Sequence, residues 1–471
     1  MQKILNLIYA AARTSPEYPA ITLIDLVVNY RMLIKGLLSV EQEILTRNFN
    51  HDSVIGISIE NPAHHLTVAL ALAKSGFASA SLMPDEIEPA KAVGMKVMIS
   101  DKPVQIGGVA VHTIAPDWFI RPVDLNAWTV APNVKNRIAR VSFTSGSTGM
   151  KKAIGHTDAA LKARILDRVI MTRTVGTYLC SMGLTVSAGY TNAISILIRG
   201  ETICFDRTPE EAVRFLNHLN VKRIVSTPAR LKSVVNLLSQ QGALIDSVRH
   251  ITIGGGFIDD AFLDLLKSHF TARIFEVYGS TEAGSAGYMN ISKSIANGRI
   301  QSAFLPIAEV QIDEGQTKGK EGRIRIRSDS MGWPFLGDMI ETNEITGDGW
   351  FYPGDIGYFD ENGYLVLAGR TDDLINLGGQ KFSPEKLEDI ISTHPEINEV
   401  AIVKAGSSNR VEFNLCLVGS DKITKDELEK YLSSKRIDLT INRLMFLPAL
   451  PRNGMGKIQR MQVAALFKSS N

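Results

Sequence analysis

The sequence predicts an α/β protein: a large N-terminal domain of α/β subdomains, a small barrel-like β portion joined to it, and a small α+β domain at the C-terminal end. Three observations predict this. At 471 residues the chain is too long for one ordinary domain and has length for roughly two to four folding units, each able to bury a core. Through the first two-thirds, short apolar runs alternate with longer helical patterns, as in largely parallel sheets covered by helices. From about Ile300 the runs shorten and polar or Gly turns separate them, the texture of an antiparallel, barrel-like part.

Taken in order, Met1–Ala12 places Ile4, Leu5, Ile8 and Tyr9 at helical spacing, with Asn6 interrupting the apolar stretch. It therefore reads as an amphipathic first helix rather than a secretory leader. Val54–Ile59 (VIGISI) is a buried strand, and Ala63–Gly76 is the helix after it. Val97–Ser100, Thr177–Cys180, Arg223–Ser226 and His250–Ile253 are further short strands. In the later region Val310–Ile312, Gly322–Arg327 (GRIRIR), Trp350–Tyr352 and Tyr364–Ala368 read as strands. Near Arg370 the pattern changes to a compact last unit of roughly 100 residues, which sets a division at 1–369 and 370–471.

Composition excludes several classes. Lys and Arg total 51 against 49 Asp and Glu, so the net charge of +2 offers no basic surface for nucleic acid or an anionic membrane. Cys180, Cys204 and Cys416 lie far apart, without metal-ligand spacing or the even count of a disulfide framework, and read as reduced thiols. No uninterrupted apolar run approaches the roughly 20 residues that span a bilayer. Ser469-Ser470-Asn471 is not a peroxisomal tripeptide, so cytoplasm is the expected location.

Chemistry enters at Thr144–Lys152 (TSGSTGMKK), directly after the apolar strand Ile138–Phe143. Its glycines let backbone amides converge on an anion, its hydroxyls add donors, and a lysine adds charge. It is not a Walker A motif, because Gly149 is followed by Met150 rather than Lys. Alone, such a loop is more often a polar surface turn than a phosphate site. Four further segments accompany it: Tyr278–Gly284 (YGSTEAG), Tyr352–Gly357 (YPGDIG), Gly369–Gly379 (GRTDDLINLGG) and Pro451–Arg460 (PRNGMGKIQR).

In this order and at these separations, the five segments resemble the adenylate-forming superfamily. Its members include acyl- and aryl-CoA synthetases, adenylation domains of nonribosomal peptide synthetases, and firefly luciferase. Val54–Pro84 extends the resemblance, so it spans nearly the whole chain. It implies an acid–thiol ligase that uses ATP and Mg²⁺ to make an acyl-AMP, then passes the acyl group to coenzyme A or to a carrier-protein phosphopantetheine. The resemblance gives Thr144, Ser145, Gly146, Ser147, Thr148, Gly149 and Lys152 to the β- and γ-phosphates. Lys151-Lys152-Ala153 stands where the family has Pro-Lys-Gly, which leaves open whether Lys151 touches phosphate. In the second segment Tyr278 would stack on adenine, with Gly279 and Ser280 beside it, Thr281 would contact the α-phosphate, and Glu282 would help hold Mg²⁺. A solvated helix-start residue is the alternative for Glu282. Gly254, Gly255 and Gly256 resemble the family's adenine-side turn. Asp355 matches the carboxylate that accepts from both ribose hydroxyls, and Arg370 an arginine that reaches the nucleotide. Asp372 falls on the hinge about which the family's small C-terminal domain swings, and Lys457 matches the lysine that enters for adenylation. Gly378 and Gly379 match glycines that leave room for the pantetheine arm.

Amino-acid-activating relatives generally place an aspartate after the strand near Thr177–Ser181. Val186 stands nearest that position here, so Val186 and Ala188 are expected on an apolar acyl wall that an ammonium would face without a partner. The expected substrate is a fatty, aromatic or small organic acid. Coenzyme A is the first acceptor, a carrier protein the alternative. A nucleotide-binding protein without catalysis is the rival of a different class.

Overall fold

The computed structural model describes residues 1–83, 86–132, 137–145, 151–171, 174–256, 258, 260–291, 295–296, 299–300, 303–313, 319–334, 348–371, 375–377, 380–382, 384–405, 412–435, 437, 439–452 and 458–469. They form two units: 1–299 with 304–310 and 326–351, and 300–303 with 311–325 and 352–471.

In the first unit the expected strands form where apolar runs are continuous, and several of the helices start at a polar cap. Val54–Ser58 is followed by the helix Pro62–Lys74, where the Asn61 side chain accepts from the amides of Ala63 and His64 and Pro62 occupies the first turn. Thr157, Thr208 and Thr227 cap the helices Asp158–Ile170, Pro209–His218 and Pro228–Gln241 in the same way. Two sheets result. In one, Pro19–Thr22, Thr202–Phe205, Thr177–Cys180, Val221–Ser226, His250–Gly254 and Arg273–Ser280 run parallel in that order, and Gly284–Asn290 turns back antiparallel. In the other, Ile138–Ser145, Ala78–Ser81, Val54–Ser58, Val97–Ser100 and Ala110–Thr113 are parallel, and Lys151–Thr157 folds back on Ile138–Ser145. Both sheets contribute to one core, Ile55 and Ile99 from the second and Ile21, Tyr178 and Ile203 from the first. The first helix, Gln2–Thr14, buries Ile4, Leu5 and Ile8 in it, as its spacing predicts. The helix Ser187–Leu197 is buried almost all round, so its sequence shows no polar face.

In the second unit Gly322–Arg327, Asp355–Phe359 and Leu365–Arg370 pair antiparallel in sequence order. Ile397–Lys404 and Glu412–Gly419 form an antiparallel pair, and Glu412–Gly419 runs parallel to Thr440–Phe446. A parallel neighbour needs a crossover, which the helix Lys425–Ser434 supplies, opened by a capping box of Thr424 and Glu427. Leu387, Ile391, Phe413, Leu415, Leu428, Leu432 and Ile441 share its core.

One expected strand is absent. Trp350–Tyr352 does not extend into a strand; Phe351 makes only a single bridge to Ile326. Gly349 at φ +85° turns the chain just before it, and Pro353 just after it has no amide to continue a ladder. Among the described residues no helix is long and apolar enough to cross a membrane.

Candidate active site

The segment YGSTEAG folds as a tight β-hairpin. Ser280 pairs with Gly284, leaving Thr281, Glu282 and Ala283 as the loop, so no helix begins at Glu282. Gly284 closes the turn at φ +78°, and a Cβ on Gly279 would lie 2.2 Å from the Gly284 carbonyl oxygen. Three-residue hairpin loops characteristically end in such a left-handed glycine. The Ser280 hydroxyl accepts from the Ala283 amide at 3.0 Å. All three loop carbonyls are bonded from outside the hairpin. Arg164 donates one Nη to Thr281 O at 2.7 Å and Glu282 O at 2.9 Å, the Gly332 amide donates to Glu282 O at 2.7 Å, and Ser328 Oγ donates to Ala283 O at 2.8 Å. The loop's acceptors are thus met on the protein side. Tyr278, half-buried on the incoming strand, has its ring 5.8 Å from that of Phe304.

The hydroxyl-glycine segment is also a hairpin. Thr144 pairs with Lys152 and Ser145 with Lys151 across the strands Ile138–Ser145 and Lys151–Thr157. Gly146, Ser147, Thr148 and Gly149 lie outside the described residues, as do the side chains of Ser145 and Lys151. Thr144 Oγ1 stands 3.5 Å from Glu282 Oε1, a long hydrogen bond that brings the two hairpins together. Lys152, its direct cross-strand neighbour, is half-buried on the same face. A hydroxyl and a carboxylate therefore meet, with Lys152 on the strand position opposite the hydroxyl. The described residues hold no cluster of three metal-ligating side chains. A lone half-buried carboxylate does not suit a cation caged wholly by protein, but it fits Mg²⁺, which draws its other ligands from phosphates and water.

The acyl-wall stretch is pinned at both ends. Arg140, buried and stacked 3.6 Å over the Tyr190 ring, donates to Leu184 O at 3.1 Å and to the hydroxyls of Ser79 and Ser81. Arg164 donates to Ser187 Oγ at 3.2 Å at the start of the helix Ser187–Leu197. That helix opens at Ser187, which makes Val186 its N-cap residue. Val186 and Ala188 are half-buried between the two anchors. A Cβ on Gly189 would fall 2.2 Å from Gly183 O, so this tight return requires glycine. Gly254 ends its strand, and a Cβ there would lie 3.9 Å from the Met182 methyl; Gly255 follows at φ +84°, and Gly256 flanks Pro228. The glycine turn and the acyl-wall stretch are therefore neighbours.

Arg140 and Arg164 escaped the sequence reading. Their signal is an arginine on a face otherwise buried: Ala160, Leu161, Arg164 and Ile165 form one helical stripe. Burial, above all, pulls Arg164 down to about 9, with Arg168 opposing its charge and Glu282 and Asp167 favouring it. Asp167, one turn on, accepts from Ser330 Oγ at 2.7 Å, while Arg164 Nε donates to Ser330 O at 2.6 Å.

In the second unit Asp355 and Arg370 face each other across the strand pair Asp355–Phe359 and Leu365–Arg370, with Nη1 to Oδ1 at 3.1 Å. Arg370 also donates to Pro353 O at 3.0 Å, and Gly354, at φ +79°, accepts from both the amide and hydroxyl of Thr371. Asp372, Gly378, Gly379 and Lys457 lie outside the described residues.

The chain is similar to several known proteins. The model of a family described as AMP-binding enzyme matches residues 9–332. A 4-chlorobenzoate–CoA ligase of an Arthrobacter species is 25% identical over 470 residues, covering 92% of this chain and 89% of its own. A 2-succinylbenzoate–CoA ligase of Listeria innocua is 24% identical over 97% of this chain and 98% of its own. The solved o-succinylbenzoate CoA synthetase of Bacillus subtilis, in complex with its acyl-adenylate intermediate, shares the fold with a TM-score of 0.82 at 19% identity, covering 97% of each chain.

Proposed function

The chain belongs to the AMP-binding enzyme family, and we propose that it works in the cytoplasm as a ligase that activates a carboxylic acid lacking an α-amine with ATP and transfers the acyl group to coenzyme A. The observation that carries this reading is the meeting of Thr144, with Lys152 paired opposite it, and Glu282 on a hairpin loop whose carbonyls are all bonded from behind. In the first step a carboxylate oxygen attacks the α-phosphorus, and the bond to pyrophosphate breaks. Both reactants are anions, so positive charge and fixed donors must hold them together. Lys152 and the Thr144 hydroxyl supply charge and a donor, Ser145–Gly149 the rest of the phosphate cradle, and Thr281 a contact to the α-phosphate. Glu282 is the residue that would hold Mg²⁺, which when bound neutralises phosphate charge. In the second step the thiol sulfur attacks the acyl carbonyl, and AMP leaves with the electron pair of the broken C–O bond.

Tyr278 and the Gly254–Gly256 turn are assigned to adenine, Asp355 to the ribose, and Arg370 to the nucleotide. The division at Arg370, with Asp372 as hinge, Lys457 engaged only in adenylation and Gly378 and Gly379 beside the thiol arm, rests on the sequence resemblance. For the acid, the apolar wall at Val186 and Ala188 and the aryl acids named for the relatives favour an aryl or alkyl carboxylate.

Acid-dependent exchange of labelled pyrophosphate into ATP tests this, with benzoate, 4-chlorobenzoate, 2-succinylbenzoate, 4-coumarate, hexanoate, octanoate and phenylalanine. Exchange with an amine-free acid, followed by thioester formation with free coenzyme A, is expected. ATP binding without exchange for any acid would reduce the protein to a nucleotide-binding module. Acyl transfer to a phosphopantetheinylated carrier but not to coenzyme A would change the acceptor.

A further inference from the structure

Building on that reading, we propose that Arg164 is a positioning residue that couples two parts of the site, holding the Thr281–Glu282 loop and the start of the acyl wall with one guanidinium. The argument is geometric. Arg164 lies on the buried face of the helix Asp158–Ile170, and only 6% of it is exposed. Its donors reach Ser330 O at 2.6 Å, Thr281 O at 2.7 Å, Glu282 O at 2.9 Å and Ser187 Oγ at 3.2 Å. The four partners belong to three elements: the segment that also sends the Gly332 amide to Glu282, the loop bearing the cation-binding carboxylate, and the first residue of the helix behind Val186. None is a carboxylate, so the guanidinium serves no ion pair there. A planar guanidinium offers five N–H donors in a fixed fork, enough for these four acceptors, whereas an ammonium has three donors on one atom.

Among the described residues the loop's carbonyls take the Arg164 fork, the Gly332 amide and the Ser328 hydroxyl, and Arg164 is the one of these that also reaches the start of the helix Ser187–Leu197. A shift of the fork therefore moves the Glu282 carboxylate and the Ser187 helix start together. The acid and the cation are consequently positioned by a common rigid part, not by independent loops.

Two variants, Arg164→Lys and Arg164→Gln, test this by calorimetric ATP binding with and without Mg²⁺, backed by thermal melts. The tightening of ATP binding by Mg²⁺ should fall tenfold or more, while Mg²⁺-free ATP binding stays within threefold. Thioester formation from the supplied acyl-adenylate of the acid leading the exchange panel, a step that leaves Glu282 idle, should also stay within threefold. Unchanged Mg²⁺ dependence overturns the proposal, and so does a parallel fall in all three measurements, which marks a merely structural residue. Ser187→Ala deletes one acceptor without stranding a buried charge, and so decides the matter should neither Arg164 variant melt cooperatively. Its KM for the acid should rise threefold or more at unchanged Mg²⁺ dependence, and an unmoved KM counts against the coupling. Unmodified enzyme that binds no ATP at all refutes the functional reading itself, a result distinct from any of these.

Discussion

Glu276 offers the sharpest test of how the strand Arg273–Ser280 is built. It lies two residues before Tyr278 on the same side of the strand Arg273–Ser280, paired with Ile253 on one neighbour and Met289 on the other, and is 3% exposed. Burial alone pushes its carboxyl from 4.5 up to about 8. An unfolded chain sheds this proton near 4.5, the folded one near 8, so between those values the unfolded state holds fewer protons. Stability therefore falls as pH rises across that window and levels off above it. At about 1.36 kcal/mol per unit, the full penalty has a ceiling of about 5 kcal/mol, of which about 3 has accrued by pH 7. Glu276→Gln keeps the shape and removes the titration. The variant should match the parent near pH 5 and exceed it by a few kcal/mol at pH 8. Urea unfolding from pH 5 to 9, followed by tryptophan fluorescence, is the assay, because Trp118, Trp128, Trp333 and Trp350 all lie in the first unit. Parallel stability profiles for the two proteins would refute the reasoning and mean that Glu276 is solvated or paired as an anion.

Three further expectations concern the site and its surroundings. Lys457→Ala should lower acid-dependent pyrophosphate exchange by a hundredfold or more while thioester formation from supplied acyl-adenylate is largely kept; equal losses in the two half-reactions would exclude a lysine that serves adenylation alone. In the unmodified enzyme amine-free acids should outrank the matching amino acids by about two orders of magnitude, about 2.7 kcal/mol at 1.36 per decade, and Val186→Asp should narrow or reverse that ranking. Exchange ranked the other way would show that a carboxylate elsewhere receives the ammonium. His156 is fully buried, neither ring nitrogen has a partner among the described residues, and burial first, then Arg164 and Arg140, hold it well below the usual 6.5. Because the unfolded histidine protonates first, stability should fall as pH drops below about 6.5, and His156→Met should both flatten that slope and raise the melting temperature, by relieving a desolvation cost of about 1–3 kcal/mol per unpartnered group. A lower melting temperature at every pH would point instead to a packing or water-bridging role for the ring.

What was legible in the sequence follows from range. Strands such as Val97–Ser100 and Thr177–Cys180 declare themselves through continuous apolar runs, and caps such as Asn61 and Thr157 through a single residue beside a helix. The YGSTEAG hairpin is equally local, since Gly279 and Gly284 are the only residues its closest approach admits. The Asp355–Arg370 pairing adds a short hairpin to that list. The supports behind these motifs are of another kind. Arg164 meets Thr281 at a separation of 117 residues, and Arg140 meets Leu184 at 44. No local pattern encodes such a partner. Only the misplacement of a charged residue on an apolar stripe hints at it, and the hint names no destination. The missing strand at Trp350–Tyr352 failed for the opposite reason: its residue types suit a strand, but the flanking Gly349 and Pro353 outweigh them.

The manner in which the two arginines are satisfied has its own electrostatic consequence. A guanidinium bonded to a carboxylate is neutralised within a few ångströms, whereas one bonded to carbonyls and hydroxyls keeps its full charge. Arg140 and Arg164 are of the second kind, bonded to Leu184 O, Thr281 O, Glu282 O, Ser330 O and serine hydroxyls. Both are buried, so solvent screens them poorly, and Arg164 stands directly behind the loop that carries Glu282 without being exposed. The carbonyl bonds thus do two things: they fix the loop that carries Glu282, and they leave Arg164 balanced by the nearby carboxylates of Glu282 and Asp167 rather than closed in a hydrogen-bonded ion pair.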